Sequence, residues 1–348
     1  MSGSIAELAR TRAEAVERFL EARGLTIAAV EEVVRGALNE PALVLLTSSP
    51  VHGLANRLSD IDTVCVVEED GAEGDLRMAT QLFAAGNHLE YVCFSRPSLE
   101  RDLDHLGQAA SLAPPEAVAA YDCWNGSRTV RLKYVERIVN GIATDGTMPF
   151  ADHLPNLGTV WKWSSLERAA RQAACSILAE RAGESRGRLA YAANATLWAM
   201  DSVLSSRGSV CGNRKWFLLR WDRFRRTRHE GEPPLAAIEA ARATLGPTPA
   251  EAPLAETLAR MIGEVGPAVG ATVGSLAFQP AASARELPLL PGGSLLVAAG
   301  DSALPAPAGL LGPEFEASLA ELAELDAASA AALLQGLRSE VWQVVVWP

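Results

Sequence analysis

No stretch of eighteen apolar residues occurs in the chain, so no membrane-spanning helix is expected. Cysteine is sparse. Cys65, Cys93, Cys123, Cys175 and Cys211 are odd in number, far apart and never in a Cys-x₂-Cys pair. That spacing argues against a zinc site and against a disulfide framework. Positive charge is also short: 31 Lys and Arg against 42 Asp and Glu give a net charge of −11. Such a chain lacks the basic footprint of a general nucleic-acid binder, so nucleic acid is not expected among its partners. The N-terminal stretch carries Glu7, Glu14, Glu17 and Glu21 and has no uninterrupted apolar core, which argues against a signal peptide. A reducing cytoplasm is the expected location. No internal repeat is found.

What is present is ample apolar material. A chain of 348 residues that is 49% hydrophobic is not a disordered protein and has room for two or three domains. Residues 4–38 read as two helices, with Gly24 as a stop. Ala42 to Thr47 and Ile61 to Glu68 read as buried strands, separated by a polar Gly- and Pro-containing segment from Ser48 to Ser59. Asp75 to Ala85 has a helical look, His88 to Phe94 alternates like a strand, and Ser98 to Gly107 reads as a helix. Such an order predicts a mixed sheet with helices packed on it. From Asn156 onward the pattern is helical as far as about residue 275. The tail mixes a Pro-, Gly- and Ala-rich stretch, a strand-like Ser294 to Ala299, a helical Glu314 to Ser339 and a strand-like Glu340 to Trp347. The expected fold class is α+β: a mixed-sheet domain at 1–150, a helical domain at 151–277 and a small α+β appendage at 278–348. The tail strand could complete a sheet within the chain or pair with a second copy as a homodimer.

The chemistry concentrates in Leu46-Thr47-Ser48-Ser49-Pro50-Val51-His52-Gly53 and Leu58-Ser59-Asp60-Ile61-Asp62-Thr63-Val64. Asp60 and Asp62 stand two apart on a predicted strand, so their side chains share a face. Two carboxylates on one face repel each other unless a cation joins them. Mg²⁺ suits them because it takes hard oxygen ligands and leaves positions for water and phosphate oxygens. Glu90, between apolar residues on the next strand-like run, is the natural third carboxylate, as bridging ligand or general base. Ser48 and Ser49 end a strand and open a turn, where hydroxyls and backbone N–H groups could hold a triphosphate. Gly53 would let the chain pass close to a nucleotide.

These residues resemble the signature of the DNA polymerase β-like nucleotidyltransferase superfamily. That signature is an apolar strand, Gly-Ser, a Gly four residues after the Ser, then Ser-Asp-x-Asp and a hydrophobic strand. Ser49, Gly53, Asp60 and Asp62 fall on matching positions, and Ser48 stands where the family usually has Gly. The likeness spans about residues 40–95. The helical part is similar to the second domain of aminoglycoside-type small-molecule nucleotidyltransferases. Within it, Ser205 to Trp216 is similar to a helix-turn segment ending in Lys-Trp, which implies that Lys215 reaches nucleotide phosphates. The resemblance implies an enzyme that uses Mg²⁺ and an NTP, with ATP as the first choice. It would transfer a nucleoside monophosphate to an oxygen of a small-molecule acceptor such as an aminoglycoside or a natural-product intermediate. A protein AMP-transferase of antitoxin type and a non-catalytic nucleotide-sensing scaffold are the alternatives.

Plainer roles compete for several of these residues. A Ser59 or Asp60 side chain can cap a helix. Glu90 can pair with a cation across strands, and Lys215 can be a solvated helix residue. Arg220 to Arg228 reads as the exposed face of a helix whose Trp221 and Phe224 pack inward. Asn125-Gly126 suggests a hairpin turn rather than an acid site around Asp122. His52 is expected to be a solvated loop histidine. Trp161, Trp163, Trp198, Trp216 and Trp221 are expected to build helical core.

Overall fold

The structure, a computed structural model, describes residues 5–38, 42–68, 79–126, 129–226, 232–246, 253–280, 285–289, 293–297, 303–305, 315–339 and 342–346. The chain divides into two compact units: Met1–Trp161 with Ser205–Arg220, and Lys162–Leu204 with Trp221–Pro348.

The first unit begins with α1 (Ile5–Glu21) and α2 (Ile27–Ala37). In α1, Arg12, Val16, Phe19 and Leu20 are the buried residues, a spacing that keeps them on one stripe. Thr26 caps α2 by accepting a hydrogen bond from the Ala29 N–H at 3.1 Å. There follow β1 (Ala42–Leu46), β2 (Ile61–Val67), β3 (Thr80–Ala84) and β4 (Asn87–Ser95). Three helices come next, α3 (Arg96–Ala110), α4 (Pro114–Gly126) and α5 (Thr129–Asn140), then the short β5 (Ile142–Ala143). The strands form one sheet in the order β3-β4-β2-β1-β5. It is mixed: β2 and β4 run parallel, and the other neighbours run antiparallel. The central strand β2, Ile-Asp-Thr-Val-Cys-Val-Val, is buried at every residue except Asp62, which is half-buried. A continuous β-branched run is what a strand covered on both faces requires. Leu20, Leu45, Leu46, Ile61, Phe94, Leu99, Leu106 and Ile138 are fully buried in this core.

Two local expectations fail in this unit. Within Asp75 to Ala85, residues 75–78 lie outside the described residues and Thr80–Ala84 is strand, not helix. Ala85 and Gly86 both have positive φ (47° and 77°), and they turn β3 straight back onto β4. Two left-handed central residues give the turn whose twist matches a hairpin; with Ala at the first of them, the sequence hides it. Asn125-Gly126, in contrast, ends α4 instead of turning a hairpin. Asn and Gly favour helix ends and tight turns for the same reason, their tolerance of left-handed backbone.

The second unit contains most of α6 (Leu154–Arg181) and α7 (Ser185–Ser206), and most of α8 (Phe217–Arg226). It continues with α9 (Pro233–Ala243) and α10 (Leu254–Ala268). Ser165 donates to Asp201 at 2.9 Å and Ser202 to the Lys162 carbonyl at 2.7 Å, joining α6 to α7 in the buried interior. Trp221 is fully buried and its Nε1 donates to Glu239 at 2.6 Å. The tail gives β6 (Leu276–Pro280), β7 (Arg285–Leu289), β8 (Gly293–Val297), β9 (Ala303–Pro305) and β10 (Phe315–Ala317), then α11 (Leu319–Leu322), α12 (Ala327–Arg338) and β11 (Trp342–Val345). These strands form two three-stranded sheets, β10-β6-β11 and β7-β8-β9. The last strand therefore pairs with β6 inside the chain. The single helix expected over Glu314 to Ser339 is instead a strand and two helices, separately capped by Ser318 and Asp326. Among the described residues, no helix is long and apolar enough to cross a membrane.

Candidate active site

Asp60 and Asp62 stand at the start of β2, and Asp62 is the register partner of Glu90 on parallel β4. Register partners on neighbouring strands project to the same face, and so do residues two apart on one strand. The sheet therefore brings Asp60, Asp62 and Glu90 onto one face at one end of two adjacent strands. Asp60 is the most open, with 59% of its side chain exposed, against 21% for Asp62. His88 Nδ1 lies 3.0 Å from Asp60 Oδ1. Arg137 of α5 brings Nη1 to 3.8 Å from Asp62 Oδ1, and its guanidinium lies 5.4 Å from the Tyr134 ring centre. Burial raises the Tyr134 phenol above its ordinary pKa; Glu90 and Asp62 add to that rise and Arg137 opposes it.

The turn after β1 is tied to the backbone of the same strand. The Thr47 N–H donates to the Asp62 carbonyl at 3.0 Å, which places Ser48 and Ser49 beside the acidic pair. Ser48 has φ +62°, the left-handed conformation that favours glycine. Serine thus stands in a backbone geometry that glycine adopts without strain. Its Oγ is buried and has no hydrogen-bond partner. Left-handed backbone costs a non-glycine residue about 1–2 kcal/mol, and glycine gives back about 0.5–1 in unfolded-state entropy. Ser48→Gly is accordingly expected to stabilise the protein by about 0.5–1 kcal/mol, read from urea unfolding. A loss of stability would remove strain as the explanation. Gly53 also has positive φ, and its N–H donates to the Pro50 carbonyl at 2.9 Å to close the loop.

A cleft of about 240 Å³ opens over these groups, lined among others by Ser48, Ser49, Asp60, Asp62, Arg137 and Lys215. Lys215 is exposed, with Nζ 5.1 Å from the Trp216 ring centre. It comes from Ser205–Arg220, the stretch between the two helices α7 and α8 that packs with the first unit. Glu90 and Gly53 are not among the lining residues; Gly53 borders a separate depression with Pro50 and Arg23.

Sequence reasoning missed Arg137 and Tyr134, which lie one turn apart on a helix that carries no motif. It also misjudged His52. The side chain is only 11% exposed, and burial lowers its pKa, a shift that Arg12 and Arg220 reinforce and Glu136 opposes. Arg220 is buried as well and donates to the carbonyls of Ser209 and Cys211, so it is no part of an exposed basic face. Trp161, Trp163 and Trp221 are buried, as core residues are. The Asp122 side chain and residues 227–228 of the basic run lie outside the described residues.

One solved structure similar to this chain is that of a nucleotidyltransferase-like protein from Exiguobacterium sibiricum 255-15. The match has 11% identity and a TM-score of 0.29, and covers 70% of this chain and 74% of that one. No curated protein matches the chain. A family model described as "Family of unknown function (DUF6001)" matches residues 3–346. The match runs nearly end to end, and the chain belongs to that family.

Proposed function

We propose that the chain transfers a nucleoside monophosphate from an NTP to an oxygen of a small-molecule acceptor and releases pyrophosphate. The observation that carries this reading is the meeting of Asp60, Asp62 and Glu90 on one sheet face with the Ser48-Ser49 turn, pinned to the same strand. The donor set is entirely hard oxygen, so it fits Mg²⁺, held by Asp60 and Asp62 with Glu90 as a further ligand. When bound, Mg²⁺ neutralises charge on the phosphates and polarises oxygen.

The chain's own groups do the rest. The orphaned Ser48 Oγ and the left-handed turn around it offer donors to phosphate oxygens. Arg137 and Lys215 supply positive charge to the triphosphate. The acceptor oxygen forms a bond to the α-phosphorus, and the bond from that phosphorus to the bridging oxygen of pyrophosphate breaks. The acceptor proton passes to a carboxylate, a role that this reading gives to Glu90. ATP is the donor of first choice. An acidic chain favours a cationic acceptor of the amino-sugar kind.

The test is pyrophosphate release with each of the four NTPs, Mg²⁺ and a panel of amino-sugar acceptors. Acceptor-dependent release supports the transferase. Mg²⁺–NTP binding by calorimetry without turnover on any acceptor would favour the nucleotide-sensing scaffold, and absence of both would sink the reading. Arg137→Gln is expected to weaken NTP binding by about tenfold, because a charged hydrogen bond to phosphate is worth about 1.5–3 kcal/mol and solvent recovers part of it. Unchanged affinity would take Arg137 out of the site.

A further inference from the structure

A second cluster of ligating groups lies in the same unit. His52 comes from the loop after β1, Glu136 from α5, and Cys211 from the segment before α8. A His52 ring nitrogen, a Glu136 carboxylate oxygen and Cys211 Sγ all lie within 4.8 Å of one another. His52 Nε2 is 3.6 Å from Glu136 Oε1. That is too long for a hydrogen bond. It is close to the roughly 3.4 Å that separates two ligands each about 2.0–2.1 Å from a tetrahedral ion. The Nε2 atom is buried and makes no hydrogen bond, a state that proteins rarely leave uncompensated.

We propose that His52, Glu136 and Cys211 form a binding site for a zinc-class divalent cation, separate from the three-carboxylate face, with its fourth position left to water or a substrate group. Imidazole, thiolate and carboxylate are the donor types that zinc takes, and three protein ligands with one open position is the arrangement of its reactive sites. Glu136 and Cys211 both line the cleft, so an open position has access to it.

The surroundings support the ligand set. Asn140 Nδ2 donates to Glu136 Oε1 at 3.0 Å and so fixes that carboxylate, as outer partners of metal ligands do. Gly212, next to Cys211, is closely packed: an added Cβ would come within 3.2 Å of Trp161 and 3.4 Å of Glu136 Oε2, so those neighbours would have to give way. Arg12 and Arg220 are buried close by, and Arg220 Nη1 donates to the Cys211 carbonyl at 3.3 Å. A dication with a carboxylate and a thiolate is a neutral unit, so it does not repel those guanidiniums. Such an ion would join the loop that carries Ser48 and Ser49 to the helix that carries Arg137.

The site stands on its own ligands and holds whether or not the transfer reaction does. The test is the metal content of the purified full-length chain, followed by the spectrum of the chain loaded with Co²⁺. About one equivalent of zinc is expected, together with a thiolate-to-cobalt charge-transfer band and tetrahedral ligand-field bands. Cys211→Ser should abolish the charge-transfer band. His52→Ala should weaken the metal at least about 100-fold, more than loss of an outer partner does. Asp60→Asn with Asp62→Asn should leave both signals intact. A folded wild-type chain with no zinc and no charge-transfer band at saturating Co²⁺ would overturn the proposal. So would a band that survives Cys211→Ser, or a metal lost only with Asp60 and Asp62. If the ligand variants do not fold, the wild-type cobalt spectrum still decides.

Discussion

With both Asp60 and Asp62 replaced by Asn, acceptor-dependent pyrophosphate release is expected to fall by about 10³-fold or more. Loss of one preorganised charge partner already costs about 10²–10³ in rate, and this change removes two negative groups at once. Asparagine keeps the size and shape of aspartate, so the change acts on charge. The strand is expected to survive it. Asp60 is mostly exposed and the Asp62–Arg137 contact is a loose 3.8 Å, so stability should move by less than about 1 kcal/mol. The Thr47–Asp62 backbone hydrogen bond does not involve the side chain. Glu90→Gln is expected to cost about 10²–10⁴, the range for losing a general base. Measured rates for the double variant within tenfold of wild type, with unchanged circular dichroism, would refute a carboxylate-dependent transfer.

The acidic face was legible because strand periodicity is local. Asp60 and Asp62 share a face by spacing alone, and Glu90 stands on a strand whose register happens to set it beside Asp62. Ser48 was legible as a turn residue, but its φ of +62° was not, since serine reports no preference for that region. The groups that the sequence concealed all arrive through tertiary packing. Arg137 reaches Asp62 from a helix far along the chain. His52 looks like a solvated loop residue until α5 covers it with Glu136. Cysteine spacing speaks only to motifs whose ligands are close in sequence; His52, Glu136 and Cys211 come together only in the fold.

The fold was readable where patterning was strong and unreadable where one residue carried the decision. β1 is an apolar run, β2 is β-branched and β4 begins with polar–apolar alternation, and each lies close to its expected span. β3 escaped notice because its exposed residues, Thr80, Gln81 and Phe83, face no core that would impose alternation. The tail's Ala- and Leu-rich run has uniform helix propensity, so it conceals the breaks at Ser318 and Asp326 that two N-caps create. The placement of Ser205–Arg220 in the first unit is a non-local feature. That stretch follows α7 in sequence but buries Cys211 and Arg220 in the unit formed by residues 1–161, through contacts that leave no local pattern in the sequence.

The largest loss of stability is expected from Arg12→Ala, at about 3–5 kcal/mol. Arg12 is 6% exposed and donates to the Asn140 carbonyl at 2.7 Å and to Asn140 Oδ1 at 2.6 Å. Asn140 in turn donates to the Glu136 carbonyl at 2.9 Å and to Glu136 Oε1 at 3.0 Å. Burial lowers the Arg12 pKa to about 10, with Glu136 and Cys211 opposing the shift, so the guanidinium stays charged at neutral pH. Two effects compete on its removal. Alanine ends the cost of burying a guanidinium, which favours the variant. It also leaves a buried carbonyl, an amide oxygen and the Glu136 carboxylate short of their partner. The second effect wins, because breaking one side of a buried charged network costs about 3–5 kcal/mol, whereas replacing the whole network by apolar groups can be neutral. Arg12→Lys should recover only part of the loss, since an ammonium cannot reproduce the two-pronged contact with one asparagine. Urea unfolding followed by tryptophan fluorescence measures the difference, with Trp161 buried in the same unit as the reporter. A loss below about 1 kcal/mol would mean that water replaces the guanidinium at no great cost and that this network does not hold the first helix to α5.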